Sequence, residues 1–119
     1  MDKLCFNPDE VKPVASSEEG LTDECLLDTG TGSTAPITCA KKLRMIRQVY
    51  RPGGRHRPHS HENTEQAYYI IKGKAYVRIG DREYYPKEGA ILYIPPKVEH
   101  EIKNIGETDL INLLISADV

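Results

Sequence analysis

Val98, His100 and Ile102 alternate with Glu99, Glu101 and Lys103, a period of two that fits a strand with one buried face and turns His100 inward with its apolar neighbours. The same rhythm appears in Ala75, Val77 and Ile79, set against Tyr76 and Arg78. Gly80-Asp81 then reads as a hairpin turn and Glu83-Tyr84-Tyr85 as the return strand before Pro86. After the turn residues Asn104, Gly106 and Thr108, the stretch DLINLLIS (Asp109 to Ser116) reads as a final, largely buried strand. KKLRMIRQVY (Lys41 to Tyr50) suits a strand or an amphipathic helix. Its β-branched and aromatic residues and the all-strand context favour a strand, and Arg51-Pro52-Gly53-Gly54 stops either one. With no long helical pattern and no internal repeat, the expectation is an all-β fold, a small antiparallel sandwich or barrel.

The chain has 119 residues, the length of one domain. Its formal net charge of -2 lacks the basic excess that nucleic-acid backbones attract, so no nucleic-acid partner is expected. Charge is unevenly spread. Residues 1–30 hold eight acids against Lys3 and Lys12, whereas residues 41–57 hold seven Lys or Arg and no acid. The acidic opening, with its prolines, serines and the weak linker DTGTGSTAP, reads as an extended N-terminal arm over 1–36, and the compact barrel as 37–119. The opening residues show neither a signal-peptide nor a transit-peptide pattern, and no stretch is long and apolar enough for a membrane span. Cys5, Cys25 and Cys39 are odd in number and irregularly spaced, as reduced thiols are. A cytoplasmic protein with no membrane partner is the expectation.

His59 and His61 lie one residue apart, so on a strand both rings project to one face. Two such imidazoles can share a cation at about 2.0–2.1 Å each if it is zinc, and His100 supplies a third inward ring. His56, of opposite parity, is expected off that face.

These residues carry a resemblance to the cupins, whose first motif is G-x5-H-x-H-x3,4-E-x6-G and whose second is G-x5-P-x-G-x2-H-x3-N. Gly53, His59, His61 and Gly73 match the first in spacing, and Gly89, Pro95, His100 and Asn104 match the second. The chain resembles a small single-domain cupin of the RmlC-like jelly-roll superfamily, which implies an antiparallel double-stranded β-helix, a divalent metal ion and a homodimer. Two positions depart from the pattern. The spacing from Gly73 lands on Gln66 where most cupins carry a glutamate ligand; Glu65, one residue earlier, is the alternative if a bulge turns it inward. Lys97 stands where the second motif has glycine, a position that serves a turn.

The implied metal ligands are His59, His61, Gln66 and His100, holding Zn, Ni, Fe or Mn. Three imidazoles and an amide are all neutral, so nothing among them offsets the cation's charge, which makes it a stronger Lewis acid and supports an oxidised state less well. Relatives with this His/His/Gln/His set include polyketide cyclases and enzymes that open or isomerise unsaturated uronates. The resemblance therefore suggests a non-redox isomerase, lyase or cyclase acting on a small oxygen-rich molecule such as a keto acid, sugar acid or polyketide. An iron-dependent dioxygenase and a non-catalytic small-molecule-binding cupin are the alternatives. Candidate catalytic groups are Tyr68, which shares parity with Gln66, Glu65 as a proton carrier, and Arg57, which shares parity with His59 and His61 and suits a substrate carboxylate. Tyr93, before the Pro95-Pro96 turn, is a further candidate proton donor. The remaining basic residues between 41 and 55 read as a solvated face, and the cysteines carry no motif.

Overall fold

The computed structural model describes residues 3–30 and 32–119. After a 3-10 turn at Pro8–Glu10, ten strands follow in chain order: β1 (Pro13–Ala15), β2 (Leu21–Leu27), β3 (Leu43–Tyr50), β4 (Arg55–His59), β5 (Thr64–Lys72), β6 (Ala75–Ile79), β7 (Arg82–Tyr84), β8 (Ile91–Ile94), β9 (His100–Asn104) and β10 (Leu110–Asp118). They form two antiparallel sheets, one of six strands in the order β1-β2-β3-β10-β5-β8 and one of four in the order β4-β9-β6-β7. This is the all-β antiparallel architecture expected from the alternation, in the jelly-roll form that the cupin resemblance implies. KKLRMIRQVY forms a strand, and DLINLLIS becomes the long central strand, paired with β3 on one side and β5 on the other. Gly80, at φ +61, turns β6 into β7, and Ile79 pairs with Arg82 across it.

Between the sheets lies a core that includes Tyr50, Tyr68, Ile70, Val77, Ile94, Ile102 and Leu110, all of them essentially without solvent exposure. These residues come from alternate positions of their strands, as the pleat requires. The opposite face of the six-stranded sheet is also apolar. Tyr69, Ile71, Ile91 and Tyr93 are exposed there, with Ile91 at 69% and Tyr93 at 54%.

The N-terminal segment lies along the edge of the larger sheet. β2 pairs with β3 over Leu21–Leu27, and β1 pairs with β2 outside it. The turn between them meets the turn between β3 and β4. Arg51 and Arg55 donate backbone N–H groups to the carbonyls of Gly20 and Glu19, both at 2.9 Å. A Cβ on Gly20 would meet the Cα of Gly54 at 2.8 Å, so only glycine permits this approach.

β4 carries the departure that shapes the site. His56 faces Ile102 of β9 and His59 faces His100, so three steps along β4 match two along β9. One extra residue is a β-bulge, and it reverses the parity of everything before it relative to everything after. Pro58, which has no N–H to contribute to a ladder, sits inside this bulge on an edge strand, where proline is tolerated.

Candidate metal centre

Three histidines converge inside one end of the barrel. His59 ends β4, His61 follows it, and His100 begins β9 directly opposite His59. Their potential ligand atoms all lie within 4.8 Å of one another. The ring centroids of His59 and His100 are 4.1 Å apart and those of His59 and His61 4.9 Å.

Two of the rings are oriented in the same way. The Nδ1 of His59 meets the carbonyl of Arg57 at 2.8 Å, and the Nδ1 of His100 meets that of Val98 at 3.0 Å. A carbonyl only accepts, so each Nδ1 carries the proton and each Nε2 is left as a lone-pair donor, the form that binds a metal. Burial pushes the imidazolium pKa of His59 down to about 4, against its interaction with the Arg57 carbonyl, and burial lowers His61 and His100 as well. All three rings are therefore neutral at pH 7. The Nε2 of His100 is buried and has no hydrogen-bond partner, and the same holds for Oε1 of Gln66. Unpartnered buried acceptors are costly, and a cation satisfies them. The donor set thus fits a divalent metal ion.

Gln66 and Glu65 separate as the pleat dictates. β5 pairs without a break with β10 from Thr64 to Ile70 and with β8 from Gln66 to Tyr69, so Gln66 faces the interior, 8% exposed. Glu65 faces the outer side, where it accepts a hydrogen bond from Tyr93 at 2.8 Å. Neither Glu65 nor Tyr93 joins the histidines, because no bulge displaces this part of β5. Tyr68 lies inside, two residues on from Gln66, 1% exposed, and burial raises its hydroxyl well above the usual tyrosine range.

Arg57 is corrected by the bulge. Instead of sharing a face with His59, its side chain is 70% exposed and committed to Glu18 of the arm, whose carboxylate lies 3.0 Å from Nε and 2.9 Å from Nη2. The same carboxylate accepts the backbone N–H of Arg57 at 2.7 Å. These bonds hold the Glu18 carboxyl down to about 2. His56 is the converse correction. The bulge brings it to the face it was expected to miss, and its ring stacks on His59 at a centroid distance of 3.9 Å. A cavity of about 420 Å³ lined by Ser16, Ser17, Glu18, His56, Arg57, Pro58 and His59 opens beside the centre. The linker-like composition of the first 36 residues conceals the contributor they supply. The signals in the sequence are faint: Pro58 as the mark of a bulge, and a Glu-Glu-Gly turn ahead of β2.

The family model for the cupin domain matches residues 46–116, more than half of the chain. The chain is a cupin. An uncharacterised protein of Methanocaldococcus jannaschii is 28% identical to this cupin over 102 residues, covering 86% of it and 76% of the relative. Among solved structures, a predicted oxalate decarboxylase from Thermotoga maritima aligns with a TM-score of 0.80 at 24% identity, covering 98% of this chain and all of that one. KdgF from a Halomonas species aligns at 0.76 and 17%, covering 98% and 96%. The cupin domain of Cnp3 from Schizosaccharomyces pombe aligns at 0.78 and 14%, covering 98% and 74%. At these identities the solved structures establish the fold.

Proposed function

We propose that this cupin holds one divalent cation through His59, His61, His100 and the carbonyl oxygen of Gln66, and that it performs non-redox chemistry of the isomerase, lyase or cyclase type on a small oxygen-rich metabolite. A keto acid, sugar acid or polyketide is the class in view. The observation that carries the reading is the cluster of three histidines with ligand atoms within 4.8 Å of one another, together with His100 Nε2 and the inward-facing Gln66 Oε1, both buried and without hydrogen-bond partners. A bound cation supplies Lewis acidity, polarising a substrate carbonyl.

The chain's own groups suit such a substrate. His59 and His100 are fixed in one tautomer by backbone carbonyls. Tyr68 stays protonated in the interior and is suited to donating a hydrogen bond rather than acting as a base. Further across the sheet, Gln48 donates to Asp23 at 3.1 Å and accepts from Tyr50 and Asn112, both at 3.2 Å. The buried Oδ1 of Asn112 is left without a donor, which a ligand hydroxyl would provide. The Thermotoga maritima relative is named for oxalate, which belongs to the same class of small oxygen-rich acids.

The test begins with metal content, by mass spectrometry, of protein purified without chelator beside a His59→Ala/His100→Ala double variant. Near-stoichiometric metal in the parent and none in the variant supports the site. Loaded protein is then incubated with panels of keto acids and sugar acids under NMR with an oxygen electrode. Product without oxygen uptake supports the proposal. Oxygen consumption would replace it with a dioxygenase, and ligands bound and returned intact would replace it with a binding module.

A further inference from the structure

We infer that Glu18, in the turn between β1 and β2, is a positioning residue for the metal centre, acting through the Arg57 peptide on the ring of His59. The inference rests on reading the three histidines as a metal site. Arg57 lies in the bulge, where the β4–β9 register skips from His56 to His59. That stretch lacks its regular ladder partners, and Pro58 has no N–H with which to add one. Glu18 takes over the anchoring. One carboxylate oxygen accepts the Arg57 backbone N–H at 2.7 Å, and the other accepts Nε at 3.0 Å and Nη2 at 2.9 Å. The carbonyl of the same residue accepts Nδ1–H of His59 at 2.8 Å. Arg57 thus has one end of its backbone held by the arm while the other holds a metal-binding ring.

The arm is itself secured close by. The Glu19 and Gly20 carbonyls accept the N–H groups of Arg55 and Arg51, and Gly20 abuts Gly54. Glu18 is therefore delivered from a fixed turn. His100 provides an internal control, since Val98 orients its Nδ1 without any contribution from Glu18 or Arg57.

The full-length protein is compared with Glu18→Ala, Arg57→Ala and Glu24→Gln. Glu24 pairs with Arg47 at 2.7 Å in the same arm and does not touch Arg57. Zinc affinity is measured by competition with a chromophoric chelator, and the imidazole nitrogens of metal-free protein are followed by NMR. Glu18→Ala is expected to weaken zinc binding by about 10- to 100-fold, the usual effect of losing an outer partner of a ligating histidine. It should also move the His59 resonances while leaving those of His100 in place. Arg57→Ala should do less, because its backbone N–H still reaches Glu18, and Glu24→Gln should do nothing. Should Glu18→Ala fail to fold, Glu18→Gln, which keeps one oxygen for the Arg57 N–H, is expected to show the same His59-only shift at smaller size. Unmoved His59 resonances with affinity within about twofold would overturn the inference, as would an equal loss in Glu24→Gln, which would mark general docking of the arm. If the parent takes up no zinc, the metal reading falls by itself, and the His59 resonances still decide the positioning role.

Discussion

Glu65 and Gln66 are neighbours in the chain and stand on opposite faces of the six-stranded sheet, the carboxylate bonded to Tyr93 outside and the amide buried inside without a partner for its oxygen. The separation gives a paired prediction. With the proposed ligand set, Gln66→Glu would place a negative charge beside the cation, so metal should be retained or bound more tightly while Lewis acidity falls. Turnover of a substrate should drop by at least about tenfold, roughly 1.4 kcal/mol in the barrier. Glu65→Gln, changing only the outer face, should leave both metal content and turnover within about twofold. Equal effects from the two substitutions would remove Gln66 from the ligand set.

Acid should destabilise the metal-free protein through the same histidines. Burial holds His59 at about 4 against an ordinary value of 6.5, and His61 and His100 move in the same direction. Between those two values the unfolded chain binds a proton that the folded chain refuses, so stability rises with pH across this window. The contribution is fully present above about pH 6.5 and is lost as the pH falls toward about 4. Thermal melts of metal-free protein at pH 7 and pH 5 should show a lower Tm at pH 5. The drop should shrink in the His59→Ala/His100→Ala variant, and a drop of the same size there would assign the pH dependence to other groups.

The strands with clean alternation are legible in the amino-acid sequence alone. Val98 to Lys103 turns His100 inward, and it is wholly buried; the step from Glu65 to Gln66 reads correctly because β5 pairs without interruption there. Parity counting fails where pairing slips. A bulge is a property of two strands together, and Pro58 is its only mark in β4. β2 is hidden for another reason. Its inward Asp23 meets Gln48, so the strand's buried side includes a polar pair and shows no clean hydrophobic rhythm. A segment with the composition of a linker therefore contributes the two outermost strands at one side of the larger sheet and, in Glu18, the residue that grips the bulge.

The outer face of the six-stranded sheet leads to an expectation about assembly. Tyr69, Ile71, Ile91 and Tyr93 expose apolar surface on adjacent strands, more concentrated than scattered surface residues. We propose that a second copy covers it, giving the homodimer that the family resemblance implies. Sedimentation velocity should show a dimer for the parent and a monomer for Ile91→Glu, with the strand content of the two unchanged. A monomeric parent at tens of micromolar would withdraw the proposal.

Lys97 occupies the left-handed region at φ 68, the only non-glycine residue at positive φ among those described, in the turn that leads to His100. Its backbone N–H donates to the carbonyl of His61 at 2.7 Å, so the turn that leads to His100 is tied to another histidine of the candidate site. A side chain in this conformation costs about 1–2 kcal/mol, and glycine removes that cost while losing about 0.5–1 kcal/mol of its own through the entropy of the unfolded chain. Lys97→Gly should therefore stabilise the protein modestly, by up to about 1 kcal/mol, read as a higher denaturation midpoint at unchanged slope. Because the bond to His61 is made by the backbone, zinc affinity should stay within about twofold. Lys97→Val, with a branched side chain forced into the same conformation, should lower the midpoint. If glycine destabilised the chain instead, contacts of the Lys97 side chain would outweigh its backbone strain. A loss of zinc affinity in Lys97→Gly without a loss of stability would show that the rigidity of this turn helps to hold His61 in place.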